Sequence, residues 1–181
     1  DCIPSRSLIG DMSDLLDSHD ALICTEVLYM GPHDARGGWS EDQLVRMGRP
    51  HPDRPFPAHG LRVELNPGLF WSLVFAMRRE TFRALQGFDE AFVGYGAEDT
   101  DFGFRANRND IPLLFSAGPG AFHQYHPVYD PPLQHFDSVI ANARLFFEKW
   151  KIWPMQGWLE SMQALGLLKL SDTELTILRT P

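Results

Sequence analysis

The residues best suited to acid–base chemistry lie between Gly87 and Arg105, where the glycine-rich segment Gly94–Ala97 leads directly into Glu98 and Asp99. Neighbouring residues on a helix point about 100° apart, so the two carboxylates cannot face one direction, although both can line a pocket in front of the helix N-terminus. The helix dipole stabilises an ionised carboxylate there, and a general base must be ionised near pH 7. The alternative is that Glu98 and Asp99 are ordinary first-turn carboxylates, which their spacing alone favours.

Asp101 has a different predicted role from its two neighbours. It follows Asp99 by two residues and therefore points to roughly the opposite side of the helix, and Arg105 lies one turn further along. Opposite charges at this spacing stabilise a helix, so we interpret Asp101 and Arg105 as a structural pair.

His123 and His126 form the second group of chemically useful side chains, directly after a predicted strand and a Gly-Pro-Gly turn. Neutral imidazole is a common metal ligand. Pro127 favours an extended backbone here, in which two rings three residues apart need not converge. On residue types alone, a hydrogen-bonded structural histidine is the commoner outcome, and a contribution of His126 to any site stays open.

Asp1 begins the sequence Asp-Cys-Ile-Pro, which we interpret as the end of a strand at the carboxyl edge of a sheet. Ligands of open α/β sheets gather at that edge, whereas the alternative is a frayed terminus. Because the sequence starts without Met, we predict that it is part of a longer polypeptide.

Composition excludes several classes of protein. The 181 residues include 16 Lys and Arg against 24 Asp and Glu, a net charge of −8, which lacks the basic surface of a nucleic-acid-binding protein. The longest apolar runs are about half as long as a membrane span. Cys2 and Cys24 are too few for a disulfide framework, so we expect a reducing compartment and a cytoplasmic protein, with the inner membrane face as a second location. No dinucleotide-binding, P-loop, serine-hydrolase or zinc-protease motif is present.

Alternating strand and helix patterns predict an α/β chain that positions these side chains. Tryptophans near the C-terminus have helical spacing, which favours core packing, with a sugar-stacking surface as the alternative. The predicted helices are residues 8–16, 41–47, 79–86, 98–108, 133–151 and 155–168. The predicted strands are residues 21–30, 70–77, 111–117 and 175–178. Residues 31–67 are predicted to form a long loop that contains the short helix 41–47.

The order of these motifs resembles a family 2 glycosyltransferase. The resemblance is closest to the C-terminal half of an inverting GT-A enzyme of the β-1,4-galactosyltransferase type, and it covers residues 1–10 and about 68–127. It implies the C-terminal portion of a nucleotide-diphospho-sugar transferase fold, a mixed sheet flanked by helices, with residues 1–152 as the acceptor- and metal-binding half and 153–181 as a packed tail. The segments that carry it are Asp1–Pro4, Arg78–Phe82, Gly87–Glu90, Gly96–Asp101 and Phe122–Gln124.

The resemblance also implies a metal centre. Asp1 matches the last carboxylate of the family's Asp-x-Asp motif and His123 its late metal-binding histidine, which together would hold Mn²⁺, or Mg²⁺, on the donor diphosphate. Two ligands of one ion must lie close together, so an Asp1–His123 separation beyond roughly 8 Å would contradict the assignment, because such bonds are about 2–2.5 Å long.

For the acceptor, the resemblance implies that Asp99 is the catalytic base and Glu98 its neighbour in acceptor binding. Tyr95, Gly96 and Ala97 match substrate-binding positions, although Tyr95 replaces a Trp of the galactosyltransferase pattern and Ala97 a Gly. Donor and acceptor preference therefore stay open.

The function implied is transfer of a sugar from a nucleotide-sugar, with UDP as the expected nucleotide, to a carbohydrate or glycoconjugate hydroxyl with inversion. We expect the 181 residues alone to be inactive, and the 31–67 loop to border the acceptor. One alternative is a non-catalytic, carbohydrate-binding accessory domain, and another is a metal-dependent hydrolase that uses Asp1, Glu98 and His123.

Overall fold

The computed structural model describes residues Asp1–Pro181 and confirms an α/β chain with a mixed sheet. None of its helices is both long and apolar enough to cross a membrane. The strands are β1 (Cys2–Pro4), β2 (Leu22–Tyr29), β3 (Leu61–Glu64), β4 (Phe75–Ala76), β5 (Leu113–His123), β6 (Leu168–Leu170) and β7 (Leu175–Ile177). The α-helices are α1 (Leu8–Ser18), α2 (Glu41–Met47), α3 (Arg79–Ala84), α4 (Glu98–Arg108), α5 (Phe136–Trp150) and α6 (Gln156–Ala164), with short 3₁₀ turns at Pro67–Leu69 and Leu133–His135.

The chain forms two compact units. The first contains residues 1–87 and 103–126, and the second contains residues 88–102 and 127–181, so that α4 begins in the second unit and ends in the first. The predicted division of the chain at residue 152 stays a prediction.

The sheet of the first unit is built around β5. Strand β2 pairs with β5 in parallel along one edge, while β3 pairs with Leu113–Ser116 and β1 with Ala121–His123, both antiparallel. Because β2 lies along one edge of β5, the two short strands β1 and β3 share the other. The carboxyl ends of β2 and β5 and the start of β1 therefore meet at the same end of the sheet.

Two strand predictions are wrong. Residues 118–120 do not end the strand as a turn, because β5 continues to His123 and a register shift opposite Thr25 and Val27 absorbs the extra residues. A Cβ on Gly120 would overlap the Thr25 side chain, so glycine is required there. Residues 70–77 are not one strand, since only Phe75–Ala76 pair. Phe70 is the one fully buried side chain of this run, and most of the others are partly buried.

The Pro-rich 31–67 segment is held in place by its own side chains. Arg54 is only 2% exposed, and its Nε donates to the Leu69 carbonyl over 2.9 Å. Its guanidinium lies over the rings of Phe56 and Phe115, which stack on each other at 4.3 Å. The predicted helix at residues 41–47 is confirmed as α2. Strand β3 was not predicted, because a strand of four residues is too short to give a clear periodic pattern.

Apolar side chains at the ends of β2 and β5 pack against α2. This cluster is centred on Leu28, Met30, Leu44 and Phe122, all buried. Because α2 packs on this end of the sheet, its last turn is brought to the carboxyl end of β2.

The core of the second unit is formed by α5, α6 and the hairpin of β6 and β7, around Ile140, Leu159 and Met162. Trp153 and Trp158 pack against this core, and Trp153 stacks on Phe147 at 4.1 Å. Core packing is therefore confirmed for Trp153 and Trp158. Helix α6 is shorter than predicted because the chain enters β6 at Leu168.

Candidate functional site

Asp1, His123 and His126 come together in the first unit. The antiparallel register sets Cys2 opposite His123, and the Gln124 N–H donates to the Asp1 carbonyl over 2.9 Å. Asp1 thus precedes a strand rather than ending one as expected, but it still lies at the sheet edge where parallel β2 and β5 end.

The three side chains are close enough to hold one ion. The Nε2 atom of His126 lies 3.3 Å from the Asp1 Oδ2 atom, and the Nε2 atom of His123 lies 3.8 Å from it. One ligand atom from each residue falls within 4.8 Å of the other two. The Asp1–His123 separation is well inside the 8 Å that a shared metal requires.

The surroundings of His123 favour its neutral form. Its side chain is 14% exposed, and the ring stacks on Tyr29, whose centroid is 5.0 Å away. Burial lowers the pKa of the His123 imidazole below its ordinary value, and the neighbouring His126 lowers that pKa further. A neutral imidazole is the form that binds a metal ion.

The donor set suits a transition-metal ion better than Mg²⁺. Two imidazoles and one carboxylate are nitrogen-rich, and Mg²⁺ prefers oxygen ligands. Asp1 and His126 are half exposed, which leaves the outer side open for further ligands. The residues present therefore fit a divalent transition-metal ion, a class that includes Mn²⁺.

The carboxylate group lies in the second unit, at the start of α4. The preceding backbone is left-handed at Gly94, Gly96 and Ala97, with φ of 87°, 96° and 73°. A Cβ at Gly96 would lie 2.5 Å from the Met155 Sδ atom, so that position requires glycine for space as well as conformation. Ala97 adopts an angle that favours glycine, and its carbonyl accepts from the Asp101 N–H as the first bond of the helix.

Asn142 on α5 fixes this loop. Its Nδ2 group lies within hydrogen-bond distance of the carbonyls of Val93, Tyr95 and Gly96, at 3.2, 3.3 and 2.9 Å. Asn142 is 3% exposed and was not identified in the sequence, although a polar residue among the apolar positions of α5 was the available signal.

Tyr95 is supported by two aromatic rings and lies beside both carboxylates. It stacks on His135 at 4.5 Å and on Trp158 at 5.6 Å, both at an interplanar angle of 20°. Burial raises the pKa of the Tyr95 phenol, and the charges of Glu98 and Asp99 raise it further. The phenol is therefore protonated at neutral pH and presents a hydrogen-bond donor.

Glu98 and Asp99 are only partly buried, and they differ in hydrogen bonding. The Oδ1 atom of Asp99 accepts from the Thr100 N–H over 2.7 Å. The Oε2 atom of Glu98 is shielded from solvent and accepts no hydrogen bond within the chain. Because buried polar atoms are almost always paired, this oxygen is suited to a donor on a bound molecule.

Asp101 has a structural role, as the sequence predicted, but its described partners lie on α5. It is fully buried, and its Oδ1 atom lies 2.6 Å from the Lys149 Nζ atom and accepts from the Trp150 Nε1 group over 2.8 Å. Lys149 also contacts Asp89 at 2.7 Å.

The predicted site residues thus form two groups, one in each unit. Asp1 and His123 meet in the first unit together with His126, which the sequence had left open. Tyr95, Gly96, Ala97, Glu98 and Asp99 form the loop and helix start of the second unit.

Comparison with known proteins concerns the part of the chain that contains most of these residues. Residues 59–127 match the family model described as the N-terminal domain of galactosyltransferase. This part of the chain is glycosyltransferase-like. This description does not support the expectation that the chain is the C-terminal half of a glycosyltransferase domain, and that expectation stays a prediction.

Two curated relatives share a short segment with the chain. Validoxylamine A glucosyltransferase of Streptomyces hygroscopicus subsp. jinggangensis (strain 5008) is 38% identical over 47 residues, which is 26% of this chain and 11% of that protein. The enzyme of the same name from subsp. limoneus is 38% identical over 47 residues, 10% of its length. The matches thus span about a tenth of each relative.

Proposed function

We propose that the chain provides the acceptor-activating and metal-binding residues of an inverting GT-A glycosyltransferase of family 2, which transfers a sugar from a nucleotide-sugar to an acceptor hydroxyl. The observation that carries the proposal is that the segment matching the galactosyltransferase model contains both the acidic start of α4 and the histidine that meets Asp1. The proposed donor is a UDP-sugar.

Asp99 is proposed as the general base. It accepts the proton of the acceptor hydroxyl while that oxygen bonds to the anomeric carbon and the bond between this carbon and the diphosphate breaks, which inverts the configuration in one displacement. The shielded Oε2 atom of Glu98 accepts a hydrogen bond from a second hydroxyl of the acceptor, and the protonated Tyr95 phenol donates a hydrogen bond to a sugar oxygen.

Asp1, His123 and His126 are proposed to hold the divalent ion. The proposed ion is Mn²⁺, as the family resemblance implies, with Mg²⁺ as the alternative. When bound, the ion supplies positive charge that offsets the charge of the departing nucleoside diphosphate. The stack of His123 on Tyr29 fixes the orientation of its ring.

The base assignment is tested by release of UDP from UDP-sugars in the protein that carries this chain, with Mn²⁺ and a panel of saccharide acceptors. General bases contribute about 10²–10⁴-fold, so Asp99→Asn is expected to lose about that factor. The exposed Asp172→Asn is the matched control. Equal rates for wild type and Asp99→Asn would refute the assignment. Saccharide binding without any turnover by the wild type would favour an accessory, non-catalytic domain.

The metal assignment is tested separately by calorimetric titration with Mn²⁺. His123→Ala and Asp1→Asn are each expected to weaken binding at least tenfold, because each removes one of three ligands. The exposed His33→Ala is the control. Variants that bind Mn²⁺ as tightly as wild type would show that the cluster is not the metal site.

A further inference from the structure

A pocket of about 640 Å³ opens beside the carboxyl end of β2. It is lined by Tyr29–Gly31 from the end of β2, by Asp34, and by Arg46–Arg49 from the last turn of α2 and the residues that follow. All of these residues belong to the first unit.

The pocket carries two guanidinium groups without carboxylate partners. Arg46 and Arg49 are exposed and form no ion pair in the structure. The one carboxylate in the lining, Asp34, accepts from the Gly31 N–H through its Oδ2 atom over 2.6 Å. In a chain of net charge −8, two unpaired arginines in one pocket attract an anion locally.

The backbone that carries both arginines is ordered. Arg49 exchanges two backbone hydrogen bonds with Tyr29, at 2.8 and 3.0 Å. Helix α2 starts with a complete capping box at Ser40 and is anchored by the fully buried Leu44. The backbone at Gly48 approaches β2 so closely that a Cβ there would lie 2.6 Å from the Leu28 Cβ atom.

The pocket adjoins the proposed metal cluster. Tyr29 lines the pocket and stacks on His123, and the Met30 N–H donates to the His123 carbonyl over 3.0 Å. A molecule in the pocket therefore lies next to Tyr29 and Met30, both of which contact His123.

We propose that Arg46 and Arg49 bind a phosphoryl group of a substrate. Arginine binds phosphate oxygens through paired N–H groups, and a volume of several hundred Å³ accommodates a sugar phosphate or a nucleoside diphosphate. The phosphoryl group comes either from the donor diphosphate or from a phosphorylated acceptor. Only the identification of the ligand as a substrate rests on the proposed function.

The test is calorimetric titration of the full chain with four ligands: inorganic pyrophosphate and glucose 6-phosphate in the presence of a chelator, and UDP with and without Mn²⁺. The double variant Arg46→Gln/Arg49→Gln is compared with Arg83→Gln, a change of the same type at an exposed arginine outside the pocket lining. Circular dichroism of each variant checks that the fold is retained.

Pyrophosphate is expected to bind to the wild type in the absence of metal. Its affinity is expected to be at least tenfold lower for the double variant and unchanged for Arg83→Gln. Arg46→Lys/Arg49→Lys keeps the charge but loses the paired N–H groups, and is expected to fall between wild type and the glutamine variant. Tighter binding of glucose 6-phosphate than of UDP would identify the phosphoryl group as that of a phosphorylated acceptor. Tighter binding of UDP than of glucose 6-phosphate would identify it as that of the donor.

Two results would overturn the proposal: equal pyrophosphate affinity of the double variant and Arg83→Gln, or binding of none of the ligands by the wild type. Failure of the proposed function is distinguishable, because chelator-resistant pyrophosphate binding that depends on Arg46 and Arg49 supports this pocket even if no sugar is transferred.

Discussion

Replacing Asn142 by leucine is expected to destabilise the second unit strongly, although the two side chains are similar in size. The Asn142 amide is buried and donates toward the carbonyls of Val93, Tyr95 and Gly96. Two N–H groups support two full hydrogen bonds, each contributing about 1 kcal/mol net, and a buried carbonyl left unpaired costs about 1–3 kcal/mol.

The expected loss for Asn142→Leu is therefore about 3–5 kcal/mol, which corresponds to a decrease in Tm of roughly 6–20 °C for a chain of this size. Thermal unfolding followed by circular dichroism measures it. Asn107→Leu is the matched control, because Asn107 is exposed on α4 and its substitution is expected to change stability by less than about 0.5 kcal/mol.

Asn142→Asp adds a pH-dependent test of the same contacts. The new carboxyl faces three carbonyl oxygens, so its pKa in the folded state is raised above the unfolded value of about 3.9. Well below pH 3.9, at about pH 2–3, the carboxyl is protonated in both the folded and the unfolded state, so its charge does not affect stability. As the pH rises from 4 toward 7, the unfolded state ionises more readily, so the difference in Tm from wild type is expected to widen. The role of Asn142 in holding the loop would be refuted if Asn142→Leu were as stable as Asn107→Leu and the Tm difference between Asn142→Asp and wild type did not increase with pH.

The two remaining predictions concern charges near α4. Lys149→Met removes the ammonium from the buried Asp101 and is expected to lower the free energy of unfolding by about 3 kcal/mol, measured in urea, while Lys169→Met on β6 is the control. A loss for Lys149→Met no larger than that of the control would contradict the structural role of this ion pair. Glu98→Gln is expected to lower the pKa of Tyr95 toward its ordinary value of about 10, because one of the charges that raise it is removed. Ultraviolet-difference titration against Tyr95→Phe measures this pKa, and an unchanged value would show that Glu98 does not act on the phenol.

Most helices were predictable because their signals are local. The apolar spacing from Leu8 to Leu16 predicted α1, and the acidic first turn after Ala97 located the start of α4. Strand β5 was harder, because Gly118 and Pro119 are typical of a turn, and the strand continues beyond them through the pairing of Ala121–His123 with both β1 and β2.

In the candidate site, too, the sequence predicted local structure but not the tertiary contacts of the aromatic residues. Helical spacing predicted that Trp158 packs in a core, and it does, but the sequence contains nothing that places its ring against Tyr95. Likewise, the short loop before α4 was identified from its small residues, whereas Asn142, which holds it, lies on a distant helix.

The sequence by itself determined which groups are available and which local backbone carries them: a glycine-rich loop, followed by Glu98 and Asp99 in the first turn of a helix. Only the tertiary structure decided that Asp1, His123 and His126 meet, and that Arg46 and Arg49 share a pocket. The physical reason is that periodicity and capping depend on neighbouring residues, whereas the register of β1 and β2 on β5 is a property of the whole sheet.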